Sequence, residues 1–178
     1  MSDLREQMGE KVHTRHIEIA TYECKEGGII VQAELKDNRL QPYYKFNGEK
    51  SSPHLVHHMI IRMHVYGPTL LIKAIEAEMP GIPREDCIQT QKSLDIVTGM
   101  SIAPGFTAKI KHTLGGANGC SHLTTLLLAM APAAVQGYWA HFARKPLPKK
   151  LSPDIMNQYL IDTCWVWRKD GKLAKEFL

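Results

Sequence analysis

The sequence lacks the long apolar segment that a membrane-spanning helix would need. No hydrophobic run in its 178 residues approaches the ~20 apolar residues that cross a bilayer. The first residues, Met1 to Gln7, carry charges of both signs and no apolar stretch of the kind found in secretory signals. We therefore expect a soluble protein with a cytoplasmic location and no membrane partner.

Cysteine is scarce, and the four cysteines are far apart in the chain. Their spacing contains no CxxC pair, which argues against a disulfide framework and predicts free thiols. The four are Cys24, Cys87, Cys120 and Cys164.

A large or clustered excess of charge of one sign is also lacking. The chain has 22 basic and 18 acidic residues, and its net charge of +4 is spread along the whole length. Because nucleic-acid binding needs clustered cations, we expect no nucleic-acid partner. The one basic run, residues 144–150, contains two prolines and predicts a solvated linker.

What remains is an ordinary globular composition, with 44% hydrophobic and 22% charged residues. The length of 178 residues suits one domain over residues 1–178, and no internal repeat suggests otherwise. The chain is long enough to bury a core without metal or disulfide support.

Two pairs of strand-like segments come first. Residues 17–24 and 29–35 are rich in β-forming side chains and flank Gly27-Gly28, which predicts a hairpin. Residues 57–66 alternate in polarity and are followed by a Gly-Pro turn and the apolar run 69–77, which predicts a second hairpin. Together they predict one antiparallel sheet.

Helical patterns follow the sheet. They cover residues 85–98, 107–114 and 121–143, and a further helix is expected to start at Ser152-Pro153. A strand-like stretch at 164–167 ends the pattern. The sequence thus predicts an α+β fold, in which an antiparallel sheet from two N-terminal hairpins is followed by three or more packed helices.

The most chemically distinctive segment is Gly119-Cys120-Ser121-His122-Leu123, at the expected start of the longest helix. With Ser121 as the cap residue, Cys120 would lie where free backbone N–H groups and the helix dipole stabilise a thiolate. If the protein is an enzyme, we expect Cys120 as nucleophile or metal ligand and His122 as general base or second ligand. The alternative is that Cys120 is a small buried side chain and His122 a surface residue.

Three further residues are candidate metal ligands: Cys87, His57 and His58. His54, His57 and His58 cluster after Pro53, and histidines in such density can bind zinc or iron. Because neighbouring residues of a strand point to opposite faces, at most one of His57 and His58 can belong to one site. Cys87 lies on an apolar helix face, where core packing is the alternative to a ligand role.

The chain resembles a known family over nearly its whole length. The segments that carry the likeness are Arg15-His16-Ile17, His58 to Arg62, Ala103 to Phe106 and above all Gly119 to Leu123. They resemble the bacterial domain of unknown function family 2889. The resemblance implies kinship of fold in a bacterial protein and assigns no activity.

A fainter likeness is to iron–sulfur scaffold proteins of the NifU-like type. Cys120-Ser121-His122-Leu123 is similar to the scaffold's His-Cys-Ser-x-Leu helix start, and residues 59–65 are similar to its first strand. Gly119 stands where the scaffold has histidine, and the first strand has no cysteine near His57. A cluster needs several thiolates, so the likeness implies a fold more than cluster assembly.

The sequence leaves two functions open. The first is a small cytosolic protein with a thiol-centred or metal-centred pocket, holding zinc or iron, that binds or transforms a small molecule. The second is a non-enzymatic accessory subunit or binding module, in which the Gly-Cys-Ser-His-Leu motif only joins helix to sheet. A homo-oligomer or a partner subunit is compatible with either function.

Overall fold

The computed structural model describes residues 3–146 and 153–177. Its strands are β1 (His13–Glu23), β2 (Ile29–Arg39), β3 (Tyr43–Tyr44), β4 (Lys50–Ser51), β5 (His54–Tyr66) and β6 (Leu71–Gly81). The four long strands form an antiparallel sheet in the order β1-β2-β5-β6, and β3 pairs with β4 in the connection between β2 and β5.

Alternation along the two central strands places the hydrophobic core on one face of the sheet. The side chains on this face are apolar and almost fully buried: Ile29, Val31, Ala33 and Leu35 on β2, and Met59, Ile61, Met63 and Val65 on β5. The opposite face carries polar pairs such as Gln32 with Arg62 and Glu34 with His58. One-sided burial of this kind is typical of an antiparallel sheet.

Helices follow the sheet in the chain. They are a 3-10 helix (Glu85–Val97), α1 (Phe106–Leu114), a 3-10 turn (Gly116–Asn118), α2 (Ser121–Phe142), α3 (Pro153–Tyr159) and α4 (Lys172–Phe177). The longest, α2, packs across β1, β2 and β5. Its buried side chains include Leu123, Leu127, Met130 and Ala134, which recur every three or four residues and so share one side of the helix.

The predicted α+β class and the antiparallel sheet are confirmed, and α2 starts at the expected residue. The cap differs: Cys120, not Ser121, is the N-cap of α2, and it makes no side-chain cap hydrogen bond. Residues 147–150 of the expected linker and Ser152 of the expected helix start lie outside the described residues. Within residues 3–146 and 153–177, no helix is long and apolar enough to span a membrane.

Two local predictions need correction. Residues 85–97 form a 3-10 helix, in which the hydroxyls of Thr90 and Ser93 donate to carbonyls three residues earlier and so favour the tighter winding. The predicted strand at 164–167 is wrong. That segment is a turn closed by a hydrogen bond from Trp167 N to Cys164 O, because local bonding replaces a sheet partner.

The contact between α2 and β1 leaves no room for a side chain at Gly137. A Cβ added there would lie 2.8 Å from Thr21 Cβ. We expect Gly137→Ala to lower the free energy of unfolding by about 1–3 kcal/mol through overpacking, although alanine is the better helix former. Urea unfolding would measure this loss.

A double-mutant cycle with Thr21→Gly provides the control. Since the glycine removes the clashing side chain, part of the loss should be recovered in the double variant. A Gly137→Ala protein as stable as the wild type would contradict this packing.

Candidate metal centre

At one end of the sheet, polar side chains replace the apolar side chains on the buried face of β1, β2 and β5. Asp37 follows Leu35 on the core side of β2, and Arg15 and His57 are its register partners on β1 and β5. Three polar residues therefore lie side by side across adjacent strands, on the face that elsewhere holds the core.

A β-bulge adjoins this row. On β5, Leu55 pairs with Asn38 and His57 pairs with Asp37, so that Val56 is an extra residue in the ladder. Bulges bend a strand and redirect neighbouring side chains, and they are frequent beside functional sites. Here the bulge lies immediately before His57.

The carboxylate of Asp37 is buried, with only 4% of the residue exposed. Arg15 binds it with two hydrogen bonds, from Nε to Oδ1 at 2.7 Å and from Nη2 to Oδ2 at 2.7 Å. His13 Nε2 lies 3.7 Å from Oδ1. The hydrogen bonds from Arg15 lower the pKa of Asp37 despite the opposing effect of burial, so the group is an anion at neutral pH.

Two histidines converge on the same carboxylate oxygen. His57 Nδ1 and His122 Nε2 each lie 3.3 Å from Asp37 Oδ2, and the two imidazole rings are stacked with centroids 3.7 Å apart. His57 comes from β5 and His122 from the first turn of α2. The three potential ligand atoms all lie within 4.8 Å of one another.

Both histidines are held in the neutral form. Burial is the main cause that lowers the pKa of each ring, and Asp37 opposes it only in part. The charge of a protonated His57 would also repel a protonated His122, which lowers the pKa of His122 further. Neutral imidazole is the form that binds metal ions.

One nitrogen of this cluster is left without a hydrogen bond. His57 Nδ1 is buried, and its contact with Asp37 is not aligned as a hydrogen bond, so within the described residues it has no such partner. An unsatisfied buried polar atom costs about 1–3 kcal/mol. A cation between this nitrogen and the carboxylate oxygen would satisfy both atoms.

Cys120 lies beside the other nitrogen of His122, with Sγ 3.8 Å from Nδ1. If Nε2 binds a metal ion, the ring proton is on Nδ1, and the sulfur of Cys120 is the atom placed to accept it. The backbone carbonyl of Cys120 accepts a hydrogen bond from Thr124 N and so holds the first turn of α2. Cys120 is therefore placed to orient His122.

The structure brings together some of the residues that the sequence singled out. His57 and His122 meet at Asp37, and Cys120 adjoins them. His58 points to the other face of the sheet, where Nε2 lies 2.6 Å from Glu34 Oε1. Cys87 is partly buried and packs against the hydrophobic core. The chemical roles expected for these residues stay predictions.

Sequence reasoning missed Asp37, and it named Arg15 only in a segment that carries the family resemblance, not as a site residue. Both occupy positions where the alternation of β1 and β2 would place an apolar residue against the core. The expected strand β2 ended at Leu35, two residues before the carboxylate. Extending the alternation through Asp37 would have shown a charged residue in a buried row, which is itself a signal of a site.

A cavity lies at the other end of α2 and is separate from this cluster. Its volume is about 580 Å³, and Tyr66, Pro68, Tyr138 and Phe142 are among its lining residues. Neither the convergent histidines nor Asp37 line it. The chemistry of the cluster therefore does not extend into this cavity.

Two histidines and one carboxylate form the ligand set of many mononuclear metal centres. The chain belongs to the family described as protein of unknown function (DUF2889), which matches residues 13–136. The match begins in β1, ends in α2 and includes every residue of the cluster. No curated protein and no solved structure matches the chain. The likeness to NifU-like scaffolds stays a prediction.

The lowered pKa values of the two histidines predict how stability depends on pH. Below the ordinary histidine pKa of ~6.5, the unfolded chain binds more protons at these positions than the folded chain does. The free energy of unfolding should therefore fall as the pH is lowered from about 7.5 to about 5.5. Urea unfolding at several pH values would measure the slope.

Replacing one histidine tests the origin of this slope. His122→Gln should flatten it, whereas His58→Gln, which removes a histidine outside the cluster, should leave it in place. Equal slopes in the wild type and in His122→Gln would show that the cluster does not produce the effect.

Proposed function

We propose that this protein holds one divalent metal ion, zinc or iron, between Asp37, His57 and His122, and uses it to bind or convert a small molecule. The observation that carries the proposal is the pair of 3.3 Å distances from the two imidazole nitrogens to Asp37 Oδ2. Two ligands bound ~2.1 Å from a tetrahedral ion are ~3.4 Å apart. The spacing therefore fits a shared ion.

The protonation states support the same proposal. Asp37 is anionic and both histidines are neutral, which is the state that all three need as ligands. The buried Nδ1 of His57 gains a partner when an ion binds. Arg15 keeps the carboxylate ionised and fixes its orientation, and Cys120 fixes the ring of His122.

Three protein ligands leave at least one coordination position open for water or a small molecule. Open positions are typical of catalytic centres, whereas structural zinc sites are closed by four protein ligands. A bound divalent ion supplies Lewis acidity or an activated water. The four free thiols suit a reducing compartment, and we propose the bacterial cytoplasm as the location.

One observation favours the second function, an accessory or binding module. Arg15 already binds both oxygens of Asp37 and compensates the buried charge without a metal. In that case the cluster serves to join the start of α2 to the sheet. The loss of His57 or His122 would then affect stability alone.

Metal content separates the two functions. Protein stripped with a chelator and then dialysed against Zn²⁺ or anaerobic Fe²⁺ should retain one ion per chain, as measured by mass spectrometry of the elements. His57→Gln should lose most of this ion because it removes a ligand. His58→Gln is the matched control, a neighbouring histidine on the opposite face, and should retain it.

Wild-type protein that retains no ion under either condition would contradict the proposal. So would a His57→Gln protein that binds the ion as tightly as the wild type while the fold, checked by circular dichroism, is intact. Either result would favour the accessory module.

The role of Cys120 gives an independent prediction. Because its sulfur contacts Nδ1 of His122, Cys120→Ser should keep one ion per chain but weaken metal affinity by about 10–100-fold. Wild-type protein loaded with Co²⁺ should show no thiolate-to-metal charge-transfer band in the near ultraviolet. Such a band, lost in Cys120→Ser, would instead make Cys120 a direct ligand.

A further inference from the structure

The surroundings of the proposed metal centre carry more positive than negative charge. Among the described residues, Asp37 is the only carboxylate in contact with the two histidines, and Arg15 pairs with it. Arg39 lies two residues beyond Asp37 on β2, on the same side of the strand. A divalent ion would increase the positive excess further.

Arg15 has hydrogen-bond donors to spare. Only two of its five N–H donors bind Asp37, through Nε and Nη2. Its side chain is 39% exposed, whereas that of Asp37 is 5% exposed. The guanidinium therefore bridges the buried carboxylate and the solvent, and its unused donors face outward from the carboxylate.

Arg39 provides a second cation that is held in place without being neutralised. Its guanidinium carbon lies 3.9 Å from the centre of the Tyr43 ring, a cation–π contact that leaves the charge intact. On β1, the register partner of Arg39 is His13, whose Nε2 lies 3.7 Å from Asp37 Oδ1. Arg39 is thus next to the side chains that surround Asp37.

The start of α2 adds a third positive element. The helix has 22 residues, no acidic residue in its first turn and no side-chain cap. Since His122 of this first turn lies 3.3 Å from Asp37, the positive end of the helix is at the centre. Helix N-termini bind carboxylate and phosphate groups through free backbone N–H donors.

We infer that the small molecule bound at this centre is an anion, whose carboxylate or phosphate group is recognised by Arg15, Arg39 and the N-terminus of α2. The inference rests on the proposed metal site. One oxygen of such a group would occupy an open coordination position. Its other oxygens would accept hydrogen bonds from guanidinium N–H groups, the donors best suited to planar or tetrahedral oxyanions.

Co²⁺-loaded protein titrated with inorganic phosphate or with acetate tests the inference. Binding of an anion to the ion changes the visible cobalt spectrum, and we expect a saturable change with at least one of the two. Arg39→Gln should weaken this binding by about tenfold or more, because it removes a charged donor. Arg39→Lys should recover part of the loss, since it restores the positive charge but not the paired N–H donors of the guanidinium group.

The matched control is Lys36→Gln. Lys36 is on the same strand but faces the other side of the sheet, where it pairs with Glu34, so the variant loses the same unit of charge. Its anion affinity should equal that of the wild type. An equal loss in Lys36→Gln and Arg39→Gln would assign the effect to net charge and overturn the inference.

Cobalt content, measured on the same samples, distinguishes failure of the metal site from failure of the anion inference. Wild-type protein that binds no cobalt would contradict the metal site and the anion inference together. One cobalt per chain, with a spectrum that neither phosphate nor acetate changes, would contradict only the anion inference. A response to one anion alone would support it and identify the ligand as a phosphate or a carboxylate.

Discussion

The buried carboxylate of Asp37 is the constraint on which this end of the molecule depends. An isolated anion on the core side of a sheet is costly, so the neighbouring elements must compensate it. β1 supplies Arg15, β5 supplies His57 and the first turn of α2 supplies His122. The strands therefore have to extend past the apolar core, and α2 has to start over the sheet's end.

Much of the fold follows directly from the sequence. Alternation of buried side chains from Met59 to Val65 is strong enough to identify β5, and Gly27-Gly28 marks the turn before β2. The glycine-rich loop before Ser121 and the repeat of apolar residues after it give the start of α2. Local patterns suffice for these elements because each strand or helix buries one continuous apolar face, which is visible in the spacing of its own residues.

The rest depends on contacts between distant segments. Asp37 lies beyond the last apolar residue of β2, and only the pairing with Arg15 and His57 makes a buried carboxylate stable there. Within the Gly-Cys-Ser-His-Leu segment the sequence emphasised the sulfur, whereas the structure places the ring of His122 at the carboxylate and Cys120 behind it. Which side chain faces inward at a helix start depends on the sheet beneath it.

The extra residue at Val56 has a consequence for how this family can diverge. The position of His57 is fixed by the core residues that follow it on β5, while the bulge absorbs irregularity in the chain that precedes it. Insertions or deletions in the connection across β3 and β4 can therefore end at the bulge without rotating His57 away from Asp37. Natural relatives should differ in the number of residues between positions 40 and 53. The number of residues between the bulge at Val56 and the core residues of β5 should stay constant.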